Sequence, residues 1–182
     1  QGLDGLVLDG ELIAWAPGAE QPLPFLALQS RINLKKPGKA ALAKTPVRFL
    51  AYDLLEADGV ELRERPLAER RALLEARLAQ VAPPIVLPPL LGVRDWSEAA
   101  GLRDQARERG VEGLMLKRHD SVYRQGRKRG DWWKWKVAPL TLDAVLVYAQ
   151  AGHGRRANLY TDLSFAVWDG ERLAMVAKAY SG

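Results

Sequence analysis

A chain of 182 residues with 48% apolar content can bury a substantial core, which excludes intrinsic disorder. The absence of cysteine excludes disulfides, zinc fingers and thiol catalysis, no run of eighteen apolar residues offers a membrane span, and Gln1-Gly2-Leu3-Asp4-Gly5 lacks the regions of a signal peptide. The net charge of +5 is concentrated, because residues 117–136 hold eight Lys/Arg against two Asp and the rest of the chain sums to −1. A soluble, cytoplasmic protein with no membrane association is expected.

Leu6 to Trp15 has the apolar, β-branched character of a strand, which puts Asp9 and Glu11 on one face. Gly and Pro in 17–24 make a turn, Pro24 to Arg31 begins a short helix, and a Lys/Gly/Pro loop follows at 35–39. Val47 to Leu55 is a second strand whose alternation sets Phe49, Ala51 and Asp53 against Arg48, Leu50, Tyr52 and Leu54. Pro66 opens a helix to about Gln80, with Leu67, Leu74 and Leu78 on one stripe and Glu69, Arg70 and Glu75 outside. After a short strand at 85–87, Ser97 and Gly110 bracket a further helix as N-cap and C′ residue. Strands at 111–117 and 132–137 flank the basic loop, and three more at 142–149, 159–167 and 172–180 suggest the start of a β-barrel.

Three carboxylates fall on strands: Glu11, Asp53 and Glu112. Magnesium bound with nucleotide phosphates needs only one or two protein carboxylates, so sparse acids suffice, although surface acids near strand ends give the same pattern. In Trp132-Trp133-Lys134-Trp135-Lys136 the strand period puts Lys134 and Lys136 about 7 Å apart on one face, with Trp133 and Trp135 opposite. Two such ammonium groups can offset charge on a transferring phosphoryl or nucleotidyl group; an amphipathic edge strand with solvated lysines fits the pattern equally. Tyr52 suits either cross-strand packing or stacking on a purine. The Trp-interleaved basic stretch suits phosphates and bases, against the alternative of a solvated loop. P-loop, dinucleotide-binding and hydrolase-elbow motifs are absent, and His119 and His153 are too isolated for a histidine metal site.

In order, Leu8-Asp9-Gly10-Glu11-Leu12, Phe49-Leu50-Ala51-Tyr52-Asp53-Leu54-Leu55, Glu112-Gly113-Leu114-Met115-Leu116-Lys117 and Trp132-Trp133-Lys134-Trp135-Lys136 resemble motifs III, IIIa, IV and V of the ATP-dependent DNA ligases, members of the covalent nucleotidyltransferase superfamily. The segments Arg65 to Arg71 and Tyr123-Arg124-Gln125-Gly126 are also ligase-like. The resemblance implies an α+β fold: an adenylation (nucleotidyltransferase) domain over 1–137, of mixed, mainly antiparallel sheets with flanking helices, followed by the start of an OB-fold β-barrel over 138–182. It implies ATP and Mg2+ or Mn2+ as cofactors, nicked double-stranded DNA as partner, a monomer, and nick sealing through lysyl-AMP and DNA-adenylate.

Position by position, Glu11 would contact the ribose or support the metal, Tyr52 would stack on adenine, Glu112 would bind the divalent ion, and Lys134 and Lys136 would hold the α-phosphate. Lys117, Arg124, Arg127, Lys128 and Arg129 would contact DNA. Motif I requires Lys-x-Asp-Gly, whereas Gly2-Leu3-Asp4-Gly5 has glycine in the lysine's place and sits directly against motif III. The nucleophilic lysine is therefore expected upstream and motif VI downstream, with the chain inactive alone. A non-catalytic nucleic-acid-binding module, or an RNA ligase or capping-type enzyme, are the alternatives; the Trp-rich motif V followed by Leu140 to Val145 is more similar to DNA ligases.

Overall fold

The computed structural model describes residues 3–126 and 128–180, which divide between Val137 and Ala138 into two units. In the first unit, β1 (Leu6–Ala14) pairs antiparallel with β2 (Val47–Ala57), β2 with the short β3 (Val60–Glu61), and β4 (Ile85–Val86) adds to β2 in parallel. The β2–β3 hairpin turns on Asp58 and Gly59, both at positive φ (51° and 78°), the conformation a two-residue hairpin loop requires.

Two register shifts interrupt the β1–β2 ladder. Leu8 and Asp9 face Leu54 and Asp53, but Gly10 faces Ala51, so Tyr52 is the unpaired residue of a β-bulge; Leu55 is skipped in the same way. The expected alternation along β2 consequently breaks, and Leu54 joins Ala51 in the core with Leu62, Leu74 and Leu78.

Helix α1 (Phe25–Ile32) forms as expected, and a further short helix, α2 (Lys39–Lys44), occupies what reads in the sequence as loop. Helix α3 (Leu67–Leu78) packs on β2 through a stripe of Leu67, Arg70, Leu74 and Leu78. Arg70, expected on the outside, is fully buried. No side chain caps α3; instead the amides of Leu67 and Ala68 donate to the carbonyls of Ser121 and His119, both at 2.9 Å, so the start of the basic loop satisfies the helix terminus.

Helix α4 (Trp96–Asp104) is capped by Asp95, whose Oδ1 accepts from the Glu98 amide at 2.9 Å, and not by Ser97. It packs against β5 (Gly113–Lys117), which pairs antiparallel with β6 (Trp132–Lys136). The second unit is an antiparallel meander of β7 (Val145–Ala151), β8 (Tyr160–Asp169) and β9 (Arg172–Tyr180). The architecture is α+β with mainly antiparallel sheets. Among the described residues, no helix is long and apolar enough to cross a membrane.

Candidate active site

The β5–β6 register sets Lys117 opposite Trp132, Met115 opposite Lys134 and Gly113 opposite Lys136. Directly opposed residues share a sheet face, so Lys117, Trp132, Lys134 and Lys136 line one surface. Trp135 lies on the other, edge-on to Trp96 with centroids 6.0 Å apart and under the Arg103 guanidinium at 4.7 Å. Trp133, on the same face as Trp135, remains 48% exposed.

Lys117 joins this surface to the β1–β2 sheet. Its ammonium lies 3.8 Å from the centroid of Trp132 and 4.3 Å from that of Tyr52, between the two rings. Burial pushes its pKa down, against the opposing pull of Asp53 and Asp9. The Tyr52 phenol is pushed up, first by burial and then by Asp9, Glu11 and Asp53. A purine stacking on Tyr52 would therefore share the ring with Lys117, which lies half-buried among aromatics and not out on the basic loop.

Tyr123 closes the same wall. Its hydroxyl donates to Asp9 Oδ2 at 2.8 Å, its ring meets Trp132 edge-on at 5.7 Å, and burial followed by the Asp9 hydrogen bond raises its pKa to about 12. Behind it, Trp132 Nε1 donates to Ser121 Oγ at 3.3 Å. An open cavity of about 520 Å³ on the loop side of Tyr123 is bordered by Arg63, Arg124 and Lys128 together with Glu61 and Glu64.

The carboxylates separate into two kinds. Asp53 is fully buried and spent: Oδ1 accepts from Arg70 Nε and the Leu54 amide and Oδ2 from Arg70 Nη2, which leaves it unavailable to a metal. Glu11 and Glu112 are exposed, Glu112 sitting just before β5 and paired with Lys136, whose hydrogen bond holds its carboxyl below the usual range. Among the described residues no group of three or more His, Asp or Glu gathers into a metal cage, but the exposed Glu112, paired with Lys136 of the lysine-lined face, is the kind of sparse donor that suits a magnesium ion carried with phosphates.

The glycines beside these acids are fixed by space. A Cβ on Gly10 would strike the Leu50 carbonyl oxygen and the Phe49 ring; one on Gly113, at φ 147°, would strike the Trp135 carbonyl and lie 2.7 Å from Lys136 Cα.

On the basic loop, Arg124 pairs with Asp131, while Lys128 and Arg129 are exposed; Arg127 lies outside the described residues. Sequence reading missed Arg70, Tyr123 and Trp132 as parts of the wall. The Tyr123 to Gly126 segment carried a family signal, but nothing in the local sequence marks the partnership of Tyr123 with Asp9.

An α+β architecture of this kind, with a cationic strand face paired to the exposed Glu112, is that of a nucleotidyltransferase-type ligase. The ligase domain from M. tuberculosis LigD superposes with a TM-score of 0.56 at 29% identity, covering 97% of this chain and 51% of that one. A mycobacterial DNA ligase D complexed with ATP and MES gives 0.58 at 27% identity, covering 97% and 50%. The sequence profile of the ATP dependent DNA ligase domain matches residues 1–136. A probable DNA ligase of Koribacter versatilis is 36% identical, covering 97% of this chain and 34% of the relative; one of Opitutus terrae is 40% identical, covering 96% and 20%. The chain belongs to the ATP-dependent DNA ligase family. It spans about a third or less of the length of these relatives.

Proposed function

We propose that the parent protein seals 5′-phosphate/3′-hydroxyl nicks in duplex DNA with ATP, through lysyl-AMP and DNA-adenylate. The observation that carries the reading is the shared face of β5 and β6, where Lys134 and Lys136 stand beside Trp132 and the Lys117 ammonium reaches Tyr52 on the other sheet. Tyr52 supplies a ring for adenine stacking, and Lys134 and Lys136 hold the α-phosphate, where fixed cations offset charge developing during nucleotidyl transfer. Glu11 contacts the ribose or supports the metal, and Glu112 binds Mg2+ or Mn2+, which would polarise the phosphate oxygens. Lys-x-Asp-Gly does not occur within residues 1–182, so the adduct-forming lysine is assigned to another part of the parent.

Arg124, Arg127, Lys128 and Arg129 contact the DNA backbone, and residues 138–182 form the first strands of an OB-fold. The parent acts as a cytoplasmic monomer. Adenylation of the full-length parent with radiolabelled ATP tests the assignment: Lys134→Ala and Glu112→Ala are expected to abolish the covalent label while circular dichroism stays unchanged. Near-normal labelling of both variants would sink the site assignment, and a wild-type parent that takes up no label would sink the ligase reading.

A further inference from the structure

The concentration of charge in residues 117–136 is partly cancelled by the fold. Arg118 pairs with Asp120 and Asp131, Arg124 with Asp131, Lys136 with Glu112, and Lys117 is enclosed by rings. A second basic segment has no such compensation. Residues 31–48 hold Arg31, Lys35, Lys36, Lys39, Lys44 and Arg48, and no Asp or Glu occurs between Glu20 and Asp53.

Two of these cations serve the fold. Arg31 donates to the Thr45 carbonyl at 2.6 Å and Arg48 lies 4.4 Å over the Trp15 ring. Lys35, Lys36, Lys39 and Lys44 are all exposed, and none forms an ion pair among the described residues. Like charges gathered this way repel one another until an external polyanion neutralises them.

The segment is tied to the far end of β1, where Val47 pairs with Ala14 and the Trp15 amide donates to the Pro46 carbonyl at 2.9 Å. The basic loop is tied to Asp9 of the same strand through Tyr123. The two anchor points lie five residues apart on β1, roughly 17 Å, or about five phosphates along one DNA strand at 3.4 Å each. Lysine is a point charge on a flexible stem, which suits phosphate contact without base reading, as sealing nicks in any sequence demands.

We infer that Lys35, Lys36, Lys39 and Lys44 form a second contact surface for the DNA backbone, set apart along β1 from the basic loop. The inference rests on the ligase reading, because that reading supplies DNA as the partner. The test compares the full-length parent with its Lys35→Ala/Lys36→Ala/Lys39→Ala/Lys44→Ala variant, measuring nicked-duplex binding by fluorescence anisotropy across a salt series and, separately, covalent labelling by radiolabelled ATP.

The expected result is a plot of log affinity against log salt flattened by up to about 3.6, at about 0.9 per lost phosphate contact, with labelling and melting temperature unchanged. An unchanged slope and affinity overturns the inference and leaves these lysines to solvent or to an acidic protein. A wild-type parent that takes no label overturns the ligase reading instead, and the binding comparison still decides the surface.

Discussion

Arg70 and Asp53 form a bidentate ion pair at 2.8 Å and 2.8 Å with both side chains fully buried. Arg70 also donates to the carbonyls of Arg65 and Ser121, so one guanidinium ties β2, α3 and the start of the basic loop together. Removing one partner strands the other charge inside the protein. Arg70→Met or Asp53→Leu is expected to cost about 3 to 5 kcal/mol in chemical denaturation, and Arg70→Met with Asp53→Leu less than either single change if the pair serves geometry more than stability. A double variant as unstable as the two single effects added together would contradict that view.

The same pair marks where sequence reading stops. The leucines of α3 were legible from their period, but a charged residue within the stripe reads as its outer face until its partner, seventeen positions earlier, is seen. Tyr52 was legible as an aromatic within a family-like segment, whereas the bulge that aims it was not, because strand alternation assumes an unbroken ladder. No bulge interrupts β5–β6, and there the expected lysine face is present. Asp95 displaced Ser97 as the cap of α4 because both residue types suit the position and the choice depends on where the chain turns.

Gly113 is the first residue of β5 and follows Glu112 directly. Its φ of 147° disfavours any side chain, and the backbone of Trp135 and Lys136 fills the space a Cβ needs. Gly113→Ala is expected to destabilise by about 2 kcal/mol or more and to shift β5 against β6. Thermal melting reads the first effect, and loss of amide hydrogen-exchange protection at Leu116 and Trp133, a hydrogen-bonded pair of the ladder, the second. A variant with wild-type melting and protection would show that the strand pair yields freely.

Tyr123 should give the protein an alkaline signature. Its phenol is raised from 10.0 to about 12, so between those pH values the folded chain keeps a proton that the unfolded chain has lost. Stability therefore falls as pH rises from about 10 towards 12. Tyr123→Phe is expected to remove this part of the fall, leaving the part due to Tyr52, and to cost about 1 to 2 kcal/mol at neutral pH through the lost hydrogen bond to Asp9. Phenolate ultraviolet absorbance across an alkaline titration reads the shift directly, and a Tyr123 that ionises with the exposed tyrosines would contradict it.

Lys136 cannot serve Glu112 and a nucleotide phosphate equally. In this structure its ammonium is paired with the Glu112 carboxylate, and both side chains are more than half exposed. If Glu112 takes a divalent ion during adenylation, as proposed, the ion competes with Lys136 for the carboxylate and frees the lysine for phosphate. Glu112→Gln in the full-length parent should then raise the Mg2+ concentration giving half-maximal labelling by at least about tenfold, the scale on which a lost ligand interaction weakens a metal site. Lys136→Met should instead raise the KM for ATP at saturating metal, because its partner carboxylate is left free for the ion. Equal effects of both variants on the metal titration, with no separation between metal and nucleotide, would mean that the ion pair acts only as a unit of structure.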